Sequence, residues 1–167
     1  MKELDTLDYK LLWELIKDSR RSDRNLAKTL QISQPTVTRR RAKVEKIIDG
    51  YTAIPKFPRI GFEIVAFTFV KSRVKYGVAE KQKEALKKTR EWFMKQPNVV
   101  FSVSGQGMGW DGVCISFHKS YSDFANFVRT HDSELSDFIV ESQTFIADIS
   151  SETVMKPFHF KYLADVK

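Results

Sequence analysis

All thirteen phenylalanines of this 167-residue chain lie at or after Phe57, and the residues before it build their apolar positions mostly from Leu, Ile and Val. The break coincides with P-K-F-P-R-I-G, from Pro55 to Gly61, where two prolines and a glycine disfavour a continuous helix. Two such different apolar vocabularies predict two cores. The chain divides into a small domain over 1–53, a linker over 54–61, a Phe-rich domain over 62–152 and a tail over 153–167. A length of 167 residues accommodates this division. An apolar fraction of 42% supplies both cores and argues against disorder.

In the first domain, Leu4, Leu7, Leu11, Leu12, Leu15 and Ile16 recur at three and four residues, which predicts a one-sided helix from about Asp5 to Lys17. Ser22 offers a cap to a second helix, D-R-N-L-A-K-T-L, with Leu26, Ala27 and Leu30 inward. Ser33 offers a cap to a third, and Pro35 is tolerated in its first turn because donors there have no partner inside the helix. Only Gln31 and Ile32 connect the last two helices, so they must cross steeply, as in a helix-turn-helix. Val37 and Val44 are seven apart and face inward. Gln34, Thr38, Arg39 and Lys43 then point outward. From Ser19 to Lys46 there are nine Lys or Arg and two acids, a local excess equal to the +7 of the entire chain. A cationic patch on a short helical unit is the footprint of a nucleic-acid binder. Gln pairs with adenine and Arg with guanine through two hydrogen bonds each, while other cations meet phosphates.

Leu4-Asp5, Asp8 and Leu11-Leu12, then Arg21-x-x-Arg24-x-Leu26-Ala27 and Ser33-x-x-Thr36-Val37-x-Arg39-Arg40, resemble the opening of the Lrp/AsnC family of prokaryotic transcription regulators. Gly50-Tyr51-Thr52-Ala53 and Gly61-Phe62 are similar to the family's strand and linker. The resemblance runs over nearly the whole chain. It implies an α+β protein: an N-terminal winged helix-turn-helix domain followed by a ferredoxin-like βαββαβ domain. The candidate residues for contacting double-stranded DNA are Arg24, Ser33, Gln34, Thr36, Thr38, Arg39, Arg40, Arg41 and Lys43. Three positions depart from the family pattern. Arg41 stands at a usually apolar, inward place, where either its stem covers the core with its head in solvent or the helix sits slightly rotated. The stretch after Glu45 is about two residues short, which bears on the wing. Asn25 replaces a frequent Glu.

The second domain reads as E-I-V-A-F-T-F-V-K, a strand from Glu63; a helix from Val78 to Gln96 with Ala79, Ala85, Leu86, Trp92 and Phe93 inward; strands over Val99–Ser104 and Gly112–His118; a helix capped by Ser122 with Phe124, Phe127 and Val128 inward; and a strand from Phe138 to Ile149. The order βαββαβ is ferredoxin-like, and its helices cover one sheet face. The other apolar face calls for a homodimer, and the resemblance implies tetramers or octamers beyond it. The tail alternates Phe158, Phe160 and Tyr162, which predicts an additional edge strand. From Ser104 to Gly112 four glycines in nine residues predict a loop that a ligand can approach closely. Ser104, Gly105 and Asp111 resemble the family's effector region, so the resemblance implies an amino acid or another small effector there. A structural turn explains the glycines equally well.

No catalytic or metal constellation emerges. His118, His131 and His159 are scattered, Cys114 sits in the strand-like G-V-C-I-S-F, and no cofactor motif is present. An enzyme is not expected. The competing class is a small-molecule-binding or protein-interaction module without operator-specific DNA binding. The N-terminus has acids where a signal peptide needs positive charge, and no apolar run approaches membrane length, so the protein is expected in the cytoplasm.

Overall fold

Asp5 starts the first helix. The structure, a computed structural model, describes residues 3–73, 79–150, 152 and 154–166, without the side chains of 79, 81 and 82. The Asp5 carboxylate accepts the N–H groups of Leu7 and Asp8 at 2.9 Å, and the Asp8 carboxylate accepts the Asp5 N–H at 3.1 Å. This reciprocal cap satisfies donors that a first turn leaves open, and it begins α1, Thr6–Lys17. Ser22 caps α2, Asp23–Leu30, and Ser33 caps α3, Gln34–Val44. Between α2 and α3 the chain reverses at Gln31, whose φ of 55° is left-handed. Leu11, Leu15, Leu26, Ala27, Val37 and Val44 are buried in one core. The seven-residue spacing of the two valines turns α3 onto α1 and α2 as expected.

A short 3-10 turn, Glu45–Ile47, follows α3, and residues 48–56 form no strand. The expected wing is therefore absent as paired strands. An extended segment is held by hydrogen bonds to a neighbouring strand, and among the described residues the sheet pairs only the four strands given below. The tail is also corrected. Instead of an edge strand, Phe160–Asp165 forms a 3-10 helix that packs on α1. His159 Nδ1 accepts the Lys161 N–H at 2.9 Å, and Asp165 meets Lys17 at 3.3 Å. A side-chain cap at one end and an ion pair at the other favour the turn over extension. By its contacts the tail Lys156–Lys167 groups with Met1–Ile54 in one unit, and Pro55–Met155 forms the other.

The second unit contains β1 (Ile64–Ser72), α4 (Ala79–Met94), β2 (Val99–Gly107), β3 (Trp110–His118), α5 (Tyr121–Glu134) and β4 (Ile139–Asp148). The strand order β2-β3-β1-β4 is antiparallel throughout, the ferredoxin-like arrangement. The expected start of α4 at Val78 and the inward side chain of Ala79 lie outside the described residues. Leu86, expected inward, is half exposed. Helix α5 is capped by Ser120 rather than Ser122, its Oγ accepting the Asp123 N–H at 3.2 Å. Ser122 lies within the first turn, two residues past the cap position.

Residues directly opposite in a ladder share a face. Ala66, Thr68, Cys114, Ser116 and His118 are buried on the helix-covered face. Small side chains there let α4 and α5 approach closely. His118 Nε2 pairs with Ser116 Oγ at 2.8 Å, and burial lowers its pKa despite nearby Asp123. The opposite face carries Phe67, Ile115 and Phe145 in one row, with Phe101 beyond Ile115. Phe57, in the segment expected to be a linker, stacks on Phe117 at 4.3 Å. The break in the sequence thus contributes a ring to the second core.

Candidate functional site

The cationic cluster of the first unit divides into paired and unpaired groups. Asp8 is fully buried beneath α3. Arg40 Nη1 donates to Asp8 Oδ1 and Asp5 Oδ2, each at 2.6 Å, and Lys43 Nζ donates to Asp8 Oδ2 and to the Glu3 carbonyl. Burial pushes the Asp8 carboxyl up, but Lys43, the Asp5 N–H and Arg40 outweigh it and hold its pKa at about 2. Arg41 donates to Asp23 at 3.0 Å, to Glu45 at 2.9 Å and to the Arg21 carbonyl at 3.2 Å. Its head is therefore held by the protein, not released to solvent as expected. Thr38 Oγ1 donates to Asp23 at 2.6 Å, and that bond, followed by Arg41 against the cost of burial, lowers the Asp23 pKa. Ser33 Oγ and Thr36 Oγ1 are 2.8 Å apart and occupied with the α3 cap.

Six expected contact residues, Ser33, Thr36, Thr38, Arg40, Arg41 and Lys43, thus spend polar atoms inside the unit. Arg24, Gln34 and Arg39 are exposed and, among the described residues, have no side-chain partner. On α3 the direction opposite Val37 and Val44 carries Arg39 and Ala42, because three and four residues make one turn, and Lys46 lies in the 3-10 turn that follows. Lys28 follows Arg24 by four on α2, so the two share a face. Lys28, Ala42 and Lys46 are exposed, and sequence reasoning left them out of the candidate set. The signal available was spacing: Lys46 is seven after Arg39, as Val44 is seven after Val37.

The glycine-rich stretch of the second unit is not an open loop. Strand β2 continues to Gly107 and β3 begins at Trp110, leaving Met108 and Gly109 as a two-residue turn. Their φ values of 52° and 80° suit a tight hairpin. Ser104 lies opposite Gly112, and at Gly112 a Cβ would come within 3.1 Å of the Val103 carbonyl oxygen. Ser104 and Asp111 both line a cavity of about 90 Å³ between α4 and the sheet. Gly105 does not line it. Asp111 Oδ2 accepts the Ser72 N–H at 2.8 Å. Cys114 also lines the cavity, and burial pushes its thiol up to about 11, so it stays protonated and unreactive. Among the described residues no cluster of three or more His, Cys, Asp or Glu could hold a metal ion, and no helix is long and apolar enough to cross a membrane.

Residues 4–45 match the AsnC-type helix-turn-helix domain. An uncharacterised HTH-type transcriptional regulator of Pyrococcus furiosus is 30% identical over 132 residues, covering 77% of this chain and 81% of that protein. The leucine-responsive regulatory protein of Rhizobium meliloti is 40% identical over 70 residues, covering 41% of this chain and 45% of that one. Among solved structures, a transcriptional regulator of Neisseria meningitidis in complex with L-Met superposes with a TM-score of 0.75 at 22% identity, covering 87% of this chain and 90% of that chain. That likeness supports the two-part fold.

Proposed function

This chain belongs to the Lrp/AsnC family of helix-turn-helix transcriptional regulators, and from that membership we propose that it reads an operator with Gln34 and Arg39 of α3. The family consists of transcriptional regulators, not enzymes. The observation that carries the residue assignment is the division of the cations. Arg39 has no side-chain partner among the described residues and lies on the outward side of α3, while Arg40, Arg41 and Lys43 are engaged with Asp5, Asp8, Asp23 and Glu45. A side chain must be free to make a bidentate pair with a base edge. Ala42 beside Arg39 offers a methyl group to thymine, and Arg24, Lys28 and Lys46 supply phosphate contacts. Arg40, Arg41 and Lys43 serve as struts that fix α3 on the rest of the unit. Ser33 and Thr36 set the start of the reading helix.

The working assembly is a homodimer, supported by the uncovered aromatic sheet face of the second unit. Two reading heads call for two half-sites, one helical turn or a multiple apart, ~34 Å per turn. Work on DNA supports a cytoplasmic location. Ser104 and Asp111 mark an effector region, a reading supported by their shared cavity and by the L-Met complex of the Neisseria meningitidis regulator.

Selection from a random duplex pool with the full-length protein tests the function. The expected product is a two-part consensus that binds about 10³-fold or more tighter than random duplex at physiological salt. A pool that never converges, with binding governed by salt alone, would leave only nonspecific attraction and refute operator reading.

A further inference from the structure

We propose that the cavity beneath α4 takes a small amine, carried as a monocation, with Asp111 as its counter-ion. The proposal rests on the reading of this region as an effector site and names the ligand class. The cavity walls are largely apolar, with Val70, Ala85, Phe93 and Ile139 among them. Hydroxyls of Thr89, Ser102 and Ser104 add acceptors. Asp111 is the one acidic residue lining the cavity among the described residues, and no Lys, Arg or His joins it there. One of its oxygens, Oδ2, holds the Ser72 N–H. The other, Oδ1, has no partner among the described residues.

That charge balance selects. An ammonium group gains an ion pair with Oδ1 and further hydrogen bonds from the hydroxyls as acceptors. A ligand carboxylate would meet Asp111 at close range with no lining cation to offset it, and like charges at a shared site disfavour one another. A free amino acid brings both groups, so its carboxylate subtracts from what its ammonium gains. The size sets a second limit. At about 90 Å³ the space is smaller than the ~150 Å³ apolar cavity that accommodates benzene in another protein. A chain of two or three carbons fits this space, and a longer branched or aromatic amine does not.

Isothermal titration of the full-length protein with propylamine, L-2-aminobutyrate, butyrate and 1-propanol tests this, since the four share one three-carbon chain and differ in charge. Propylamine is expected to bind about tenfold or more tighter than L-2-aminobutyrate or butyrate. Asp111→Asn keeps an oxygen for the Ser72 N–H and should weaken the amine by about tenfold while leaving the alcohol unchanged. Ala85→Met fills the cavity and should remove binding of all four. The proposal is overturned if L-2-aminobutyrate or butyrate binds as tightly as the amine, if amine affinity survives Asp111→Asn, if Ala85→Met binds as wild type does, or if none of the four binds. DNA titration with and without saturating propylamine separates the two readings. A change in DNA affinity supports both. Amine binding that leaves DNA affinity and sedimentation unchanged retires the effector role and leaves the amine site standing.

Discussion

Asp8 shows how one buried carboxylate can decide what its neighbours do. It is fully buried, and Arg40 and Lys43 converge on it. Its pKa of about 2 lies below the ordinary 3.8, so its ionised form is favoured in the folded state. The stabilisation is fully present above the ordinary value and is lost as pH falls through the folded one. The difference amounts to about 2 kcal/mol. Asp5 and Asp23 shift in the same direction and add to the same acid sensitivity. Thermal denaturation of the helix-turn-helix signal should therefore show a falling midpoint from about pH 5 down to about pH 2. Asp8→Asn should lower stability at neutral pH and flatten that fall; an unchanged pH profile in this variant would show that Asp8 is not the titrating group. Adjacent arginines should also separate cleanly. Arg39→Ala is expected to cost ~1–3 kcal/mol on operator DNA and relax one base position, with stability retained. Arg40→Ala is expected to lower the unfolding midpoint by removing a charged hydrogen bond worth about 1.5–3 kcal/mol, with the operator-to-random ratio retained. Equal loss of selectivity in both would contradict the division into readers and struts. The sequence made Arg40, Arg41 and Lys43 legible as charge but not as structure. The partners of Arg40 lie 35 and 32 residues earlier, where no local pattern reveals them.

At the scale of elements, the hairpin of β2 and β3 is the instructive case. The order of strands and helices in the second unit was readable from alternation, caps and aromatic spacing, and Val37 with Val44 correctly oriented α3. The turn was hidden because glycines at 105, 107 and 109 look alike in sequence, yet only Gly109 among them has a positive φ. Gly105 and Gly107 are strand positions with open space around them. The wing and the tail were illegible for a different reason. Whether an extended segment becomes a strand depends on a partner, and a side-chain cap at His159 is a three-dimensional fact. Met108 carries the strain of the actual turn, a non-glycine at φ 52°. Its side chain is almost fully exposed, so it contributes little packing there. Asn tolerates this conformation better, and Asn-Gly is the favoured pair for such turns. Met108→Asn should therefore raise the unfolding midpoint, by an amount corresponding to roughly 0.5–1 kcal/mol. A lower midpoint would mean that Met108 makes a contact this geometry does not contain.

For the whole molecule, the decisive feature is the sheet face that no helix covers. Phe67 and Phe145 lie side by side at 6.2 Å on it, and Phe145 remains 64% exposed and Phe101 52% exposed. Exposed aromatic rings in one continuous patch are unusual on a monomer and mark an interaction surface. A second copy is the simplest complement, because a two-fold axis brings the same patch onto itself. The face also suits the function, since a dimer presents two copies of Gln34 and Arg39 to two half-sites. Sedimentation of the full-length protein at micromolar concentration should give a dimer or a multiple of one. Replacing Phe101 and Phe145 together by Glu places four like charges in the paired interface, two from each copy, and should yield a monomer. Because both rings are half exposed or more, the protomer should keep its helical and strand signal by circular dichroism. The monomer should also lose affinity for the two-part operator far more than for a single half-site, since tethering makes the second head's binding intramolecular and can add about 10²–10⁴-fold. A double variant that stays dimeric with its fold intact would place the interface elsewhere. A monomer that still prefers the two-part operator as strongly as wild type would show that pairing of the reading heads does not depend on this sheet.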